Sequence, residues 1–313
     1  MSKCPLSPWF DAKCANASAR VIILSDVANE ADDPFAIAHA LLTPSFDVRA
    51  IVAQHFGVAG SAERSAAAAN ELLGAMPDVD VPVVVGAEAA LTGLRSDRKT
   101  LCLDGARVIV EEALREDPRP LFVLGMGPLT DVALALDEAP EATNRFTLVW
   151  VGGGRYPHGS HEANLARDIV AAQQVFESGI SIWQIPSGAY KTLEVPISEL
   201  TLRLGRAGAL GEMLLGRMRS FASAHVNEKH WIQPESWVLG DQAAVGVFLA
   251  EQKACWHETS APSLANDCSY ESAHDGRHSI RAYDSIDTRL VLEDMFAKFE
   301  LYEQLEGRKG CDR

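Results

Sequence analysis

The sequence has no apolar run approaching the roughly 20 residues needed to span a bilayer. Its first twenty residues lack the continuous apolar core of a secretory leader. Neither a membrane protein nor an exported one is expected; a cytoplasmic protein is. Cysteine is sparse, with six residues (Cys4, Cys14, Cys102, Cys255, Cys268, Cys311) that form no CxxC pair and no metal-like spacing. That excludes a zinc ribbon or a disulfide framework. Reduced thiols are expected, Cys255 and Cys268 being the one pair whose spacing could bridge a loop. Basic residues are also few: 28 Lys and Arg stand against 43 Asp and Glu, a formal net charge of −15. Such a field repels phosphate backbones, and no local basic patch offsets it, so nucleic acid is excluded as a partner. There is no HExxH and no nucleophile–base arrangement around Ser187 or Lys191. Gly152-Gly153-Gly154 lacks the GxGxxG spacing of a phosphate cradle. No repeat, low-complexity tract or Pro/Gly linker divides the chain.

What is present is ordinary globular composition, 47% hydrophobic and 23% charged over 313 residues, enough to bury a large core without staples. Short apolar runs at 21–24 (VIIL), 49–53 (RAIVA), 81–85 (VPVVV), 121–124 (LFVL), 146–151 (FTLVWV) and 180–185 (ISIWQI) read as buried strands. Helical patterns lie between them, at 34–42, 61–73, 105–114, 129–136 and 168–178. Continuous apolar strands alternating with helices predict an α/β fold: a doubly wound, mostly parallel sheet with helices on both faces. Residues 199–250 read as helical, 255–281 as a polar, irregular surface insertion, and 279–283 followed by 287–299 as a closing strand and helix. Residues 1–19 read as an N-terminal extension and 20–313 as a single domain. In such sheets ligands bind beyond the carboxyl ends of the strands, which directs attention to the loops after Leu24, Ala53, Leu124 and Val151.

The first of these loops, Ser25-Asp26-Val27-Ala28-Asn29-Glu30-Ala31-Asp32-Asp33, carries four carboxylates within eight residues and runs into a helix opened by Pro34. Acids crowded at a helix start suit two roles. They repel one another unless a hard cation with many oxygen ligands joins them. They also suit a helix N-terminus, where Asp33 ahead of Pro34 reads as a cap.

This loop resembles the signature of the inosine-uridine-preferring nucleoside hydrolases, and its Asn29-Glu30-x-Asp32-Asp33 form is similar to the divergent, nucleoside-hydrolase-like branch. Three later segments agree in order: Gly125-Met126-Gly127-Pro128-Leu129-Thr130-Asp131, Glu162-Ala163-Asn164 with Asp168 and the run 171–178, and Gly240-Asp241. The resemblance spans about residues 20–300 and implies the Rossmann-like fold of that family. It further implies one Ca2+ held by Asp33, Asp241, Asp26 and the main-chain oxygen of Met126. Asp32, Asn29, Glu162 and Asn164 would hold the sugar, and Asp26 or Glu30 would accept a proton. The implied reaction is hydrolysis of the N-glycosidic bond of a ribonucleoside or related ribosylated small molecule by metal-bound water. Family members are commonly dimers or tetramers, which implies a homo-oligomer.

Two departures stand out. Ala28 replaces a further aspartate, and Gly240 stands where some members carry a leaving-group histidine. Another glycoside as substrate, or a binding protein without catalysis, are the alternatives these departures raise. His55, His158 and His161 are substitute acids, and Tyr156, Trp231 and Trp237 are candidate partners for the leaving group. For Asn164 a helix or turn cap is the plainer role.

Overall fold

The computed structural model describes residues 4–7, 18–94, 103–229, 231–249, 255–271 and 276–311. Cys14, Cys102 and most of the N-terminal extension lie outside the described residues. In chain order the strands are β1 (Ala19–Ser25), β2 (Phe46–Ala53), β3 (Val83–Val85), β4 (Leu121–Met126), β5 (Thr147–Val151) and β6 (Ser181–Ile185). They continue with β7 (Glu194–Pro196), β8 (Ser236–Val238), β9 (Trp256–Ser260), β10 (Ser263–Leu264), β11 (Tyr270–Glu271) and β12 (Ser279–Tyr283).

Eight of these form one sheet in the order β3-β2-β1-β4-β5-β6-β12-β9, parallel throughout except for the antiparallel edge strand β9. Every residue of β1 is buried. Val21 and Ile23 enter the core on one face, Ile22 and Leu24 the core on the other. That alternation is why the centre of the strand, Val21 to Leu24, reads as an unbroken apolar run: both faces are covered by helices, and the polar residues Arg20 and Ser25 stand at its two ends, each with a buried partner. The fold class is the one the sequence predicts.

Two expectations need correction. Residues 199–250 are not helical throughout, because β8 leaves the helical run and pairs with β7 to form a separate two-stranded ribbon. The stretch from 255 is not simply an irregular insertion. Its first part, β9, extends the main sheet, and β10 and β11 form a short hairpin. Cys255 and Cys268 are both free thiols. Among the described residues no helix is long and apolar enough to cross a membrane.

Strand order reverses beside β1. The chain runs outward through β2 and β3, then returns to place β4 on the other flank of β1, with Ser25 opposite Met126. Loops on either side of such a reversal part from one another and leave a crevice at the carboxyl ends. The acidic loop opens into it.

Candidate active site

Ser25 ends β1, and its hydroxyl donates to Asp33 Oδ1 at 2.5 Å. The loop turns back on itself through Asn29 N to Asp26 O at 2.7 Å, and helix Asp33–Leu41 then begins. The N-cap position is Asp32, and its side chain makes no capping hydrogen bond. The capping role read for Asp33 is therefore not what its carboxylate does. Instead, carboxylate oxygens of Asp32, Asp33 and Asp241 lie within 4.8 Å of one another. Asp241 arrives from more than 200 residues later, just ahead of helix Gln242–Leu249.

A small cavity of about 70 Å³ sits over this cluster. Asp26, Asn29, Glu30, Met126, Glu162 and Asn164 line it together with the three aspartates. All nine residues singled out from the sequence for metal, sugar or proton transfer thus line one cavity. A larger chamber of about 400 Å³ adjoins it, lined by Trp231, Trp237, Ile232, His161 and Lys191. Glu30, Asp32, Glu162, Tyr190 and Gly240 belong to both.

Glu162 caps the short helix Ala163–Arg167. It accepts from Asn164 N (3.2 Å), Leu165 N (3.0 Å) and, across the glycine turn, Gly153 N (2.8 Å). The Asn164 side chain caps nothing and donates to Val151 O at the end of β5 (2.9 Å). The glycine turn after β5 is pressed on the core, since a Cβ at Gly152 would lie 2.2 Å from the Trp150 ring. It serves as packing and as a donor to Glu162, not as a phosphate cradle.

A sequence model described as inosine-uridine preferring nucleoside hydrolase matches residues 21–293. The chain belongs to this family. It is 31% identical over 188 residues to the non-specific ribonucleoside hydrolase RihC of an Escherichia coli strain, covering 52% of this chain and 60% of that one. It is 33% identical over 192 residues to RihC of Salmonella agona, covering 53% and 60%. The alignments thus span less than two thirds of these curated relatives. Among solved structures, a plant nucleoside hydrolase superposes with a TM-score of 0.74 at 20% identity, over 90% of this chain and 99% of that one. A purine-preferring ribonucleoside hydrolase from Gardnerella vaginalis superposes with 0.76 at 18% identity, over 90% and 98%. At such identities the likeness establishes the shared fold.

The electrostatics of this nucleoside hydrolase family member follow from crowding acids out of water. Burial, and then mutual repulsion, holds Asp32, Asp33 and Asp241 well above the usual carboxylate range. Burial also pushes Asp26 up to about 8 against the pull of the Arg167 guanidinium. Asp26 is 3% exposed, and its Oδ2 is buried with no hydrogen-bond partner. Orphaned buried acceptors of this kind are rare and call for a ligand. Carboxylates alone, with no His or Cys among them, make a hard oxygen donor set, which fits a cation such as Ca2+. The helix dipoles beginning at Asp33 and Gln242 ease the negative charge only in part.

Sequence reading missed four contributors. Arg217 donates to Val27 O at 2.6 Å and pins the acidic loop from behind. Arg167 holds Phe56 O and faces Asp26 electrostatically. Lys229 pairs with Glu30 at 3.7 Å. Tyr190 donates to Glu162 Oε1 at 3.0 Å. The loop rule applied also after β6 would have singled out Tyr190, whereas the three cations carry no local sequence signal.

Of the substitute acids, His55 is sealed: fully buried, bonded to Thr130 Oγ1 at 2.9 Å and held down to about 4 chiefly by burial. It buttresses a network in which Thr130 donates to Asp168 at 2.7 Å. His161 lines the larger chamber. Tyr156 lies elsewhere, donating to Gln184 Oε1 at 2.7 Å and packing on Tyr270.

Proposed function

We propose that this protein is a calcium-dependent N-ribohydrolase that cleaves the N-glycosidic bond of a ribonucleoside or related ribosylated metabolite. The observation that carries the reading is the joining of two cavities. One is a small chamber walled by carboxylates and an asparagine, the other a roomier one bearing two tryptophans. A sugar fits the polar chemistry of the first and a flat heteroaromatic leaving group the second.

Asp33 and Asp241, with the main-chain oxygen of Met126, are the residues that would hold the ion; Asp26, the further ligand that the resemblance implies, is not among the three carboxylates that cluster, and Asp32, which is, would also accept from a sugar hydroxyl. Bound calcium would supply Lewis acidity, lowering the pKa of a water and aligning it with the anomeric carbon. Asp26, whose buried Oδ2 has no partner, would accept a proton from the attacking water as the water oxygen bonds to the anomeric carbon. Glu30, whose side chain is 31% exposed, is instead engaged by Lys229. Glu162, Asn164, Asn29 and Asp32 bind the sugar hydroxyls and hold the ring as positive charge builds at the reacting carbon. The carbon–nitrogen bond breaks with its electron pair leaving on the base, which Trp231 and Trp237 receive and which takes up a proton from solvent.

Purified protein incubated with a panel of purine and pyrimidine nucleosides should release ribose with calcium and none with chelator. Release unaffected by chelator would defeat the metal assignment. Asp26→Asn keeps the side-chain volume and removes the proton acceptor. It should slow turnover by roughly 100- to 10,000-fold while calcium still raises the melting temperature. An unchanged rate would return the role to Glu30. Ala28 favours a second reading: it offers no carboxylate and packs against the core. Calcium and ribose binding without release from any nucleoside would support that reading, a sugar-binding protein.

A further inference from the structure

One aromatic side chain belongs to the walls of both cavities. Tyr190 is the last residue of helix Ser187–Tyr190, which follows β6. Its hydroxyl and three main-chain amides together occupy Glu162: Tyr190 and Asn164 N on Oε1, Gly153 N and Leu165 N on Oε2. A carboxylate offers about four acceptor directions, so all are taken. A sugar hydroxyl that donates to Glu162 must displace one of these donors. The amides are fixed by the helix cap and the glycine turn, whereas the phenol turns on a rotatable bond. The ring is placed by what stands behind it. A Cβ at Gly240 would lie 2.7 Å from Tyr190 Cδ2 and 3.7 Å from Asp32 Oδ2, so glycine at 240 lets the ring lie beside the carboxylate cluster.

We propose that Tyr190 is a substrate-contacting residue that holds the sugar's place on Glu162 in the free protein. When a sugar enters the small cavity, one of its hydroxyls donates to Glu162 Oε1, and the displaced phenol donates to that hydroxyl's oxygen. The resulting chain, Tyr190 O–H to sugar O–H to Glu162, strengthens each of its bonds by polarisation. No proton is transferred. Burial, and then the charge of Glu162, keeps the phenol protonated across the working range. This inference rests on the ribohydrolase reading for its substrate.

The test pairs Tyr190→Phe with substrates that lack one hydroxyl each: a cleaved nucleoside and its 2′-, 3′- and 5′-deoxy counterparts. The variant is expected to lose about 10-fold in kcat/KM on the parent, the worth of one neutral hydrogen bond. It should lose nothing on the one counterpart missing the hydroxyl that Tyr190 contacts. Gly240→Ala, which crowds the ring from the opposite side, should show the same substrate dependence. An equal loss on every substrate means that the phenol acts only by bracing Glu162, and overturns the proposal. The calcium-induced rise in melting temperature of Tyr190→Phe should match that of the parent protein, showing an intact fold. If the parent protein cleaves no nucleoside, the ribohydrolase reading fails by itself, and calorimetry with free D-ribose and its 2- and 3-deoxy forms decides the Tyr190 assignment. Weaker binding by Tyr190→Phe confined to sugars bearing one hydroxyl supports it. Equal affinity, or no binding by the parent protein, overturns it.

Discussion

Asp241→Asn should reduce ribose release by about 1000-fold or more, the scale of removing a principal electrostatic contributor, and yet make the chelator-treated protein more stable. The two halves of this result have one cause. Asp241 shares a 4.8 Å cluster with Asp32 and Asp33 and is 6% exposed. Without a cation its charge is both desolvated and opposed by its neighbours, so the neutral amide of similar shape relieves repulsion. With a cation present the same charge is what binds it, so the variant should lose most of the calcium-induced rise in melting temperature. Asp33→Asn should behave alike, less the energy of its bond from Ser25. Differential scanning fluorimetry with calcium and with chelator reads both signs. A variant less stable than the parent protein in chelator would mean that the carboxylate is held by protein partners, and that the cluster is structural.

The chelator-treated protein should become less stable as pH rises between about 4 and 8. The acids of the site are raised by burial in the folded state, Asp26 to about 8, whereas unfolding returns an aspartate to about 4. Over that interval the folded chain binds more protons than the unfolded one. Stability is thus fully present below the lower value and is lost as pH climbs through the upper. Calcium displaces those protons, so the stabilisation it brings should grow with pH. Each kcal/mol moves the melting temperature by roughly 1.5 °C in a chain of this size, so a difference of a few kcal/mol between the two curves is resolved. Parallel curves would show that the cation and the buried protons do not compete for the same oxygens.

The sheet was legible because its strands are buried on both faces: VIIL, LFVL and FTLVWV have no polar alternation to confuse them with half-exposed strands or loops. The edge was not. β9 is the polar stretch Trp256–Ser260, whose side chains are largely exposed, so its pairing rests on backbone bonds to β12 that leave no hydrophobic trace. The β7–β8 ribbon is hidden by its shortness: each strand has three residues and one buried position, Val195 or Trp237, too few to show a period. At the site, Asp26, Asp32 and Asp33 could be read because crowded acids at a strand end are costly without a purpose, and Asp241 because its motif resembled one in the family. Arg167, Arg217 and Lys229 could not. Arg217 and Lys229 lie on segments without a motif, Arg167 lies within one but at none of its marked positions, and only the folded chain brings each to the acids. His55 misled for the converse reason, since its position after a strand carries no mark of the burial that silences it.

The unequal size of the two joined cavities sets how this architecture can change over evolutionary time. The smaller cavity, the sugar side on the ribohydrolase reading, is tight and is built on strand ends, where any shift disturbs the central sheet. The larger cavity is several times roomier and draws largely on the segment around Trp231 and Trp237 and on the residues following Tyr190. Loops tolerate substitution far better than the strands beneath them. If the protein is a ribohydrolase, its preference for one base over another can therefore drift, broaden or be recruited to a new metabolite, while the carboxylate-lined half stays under stricter constraint.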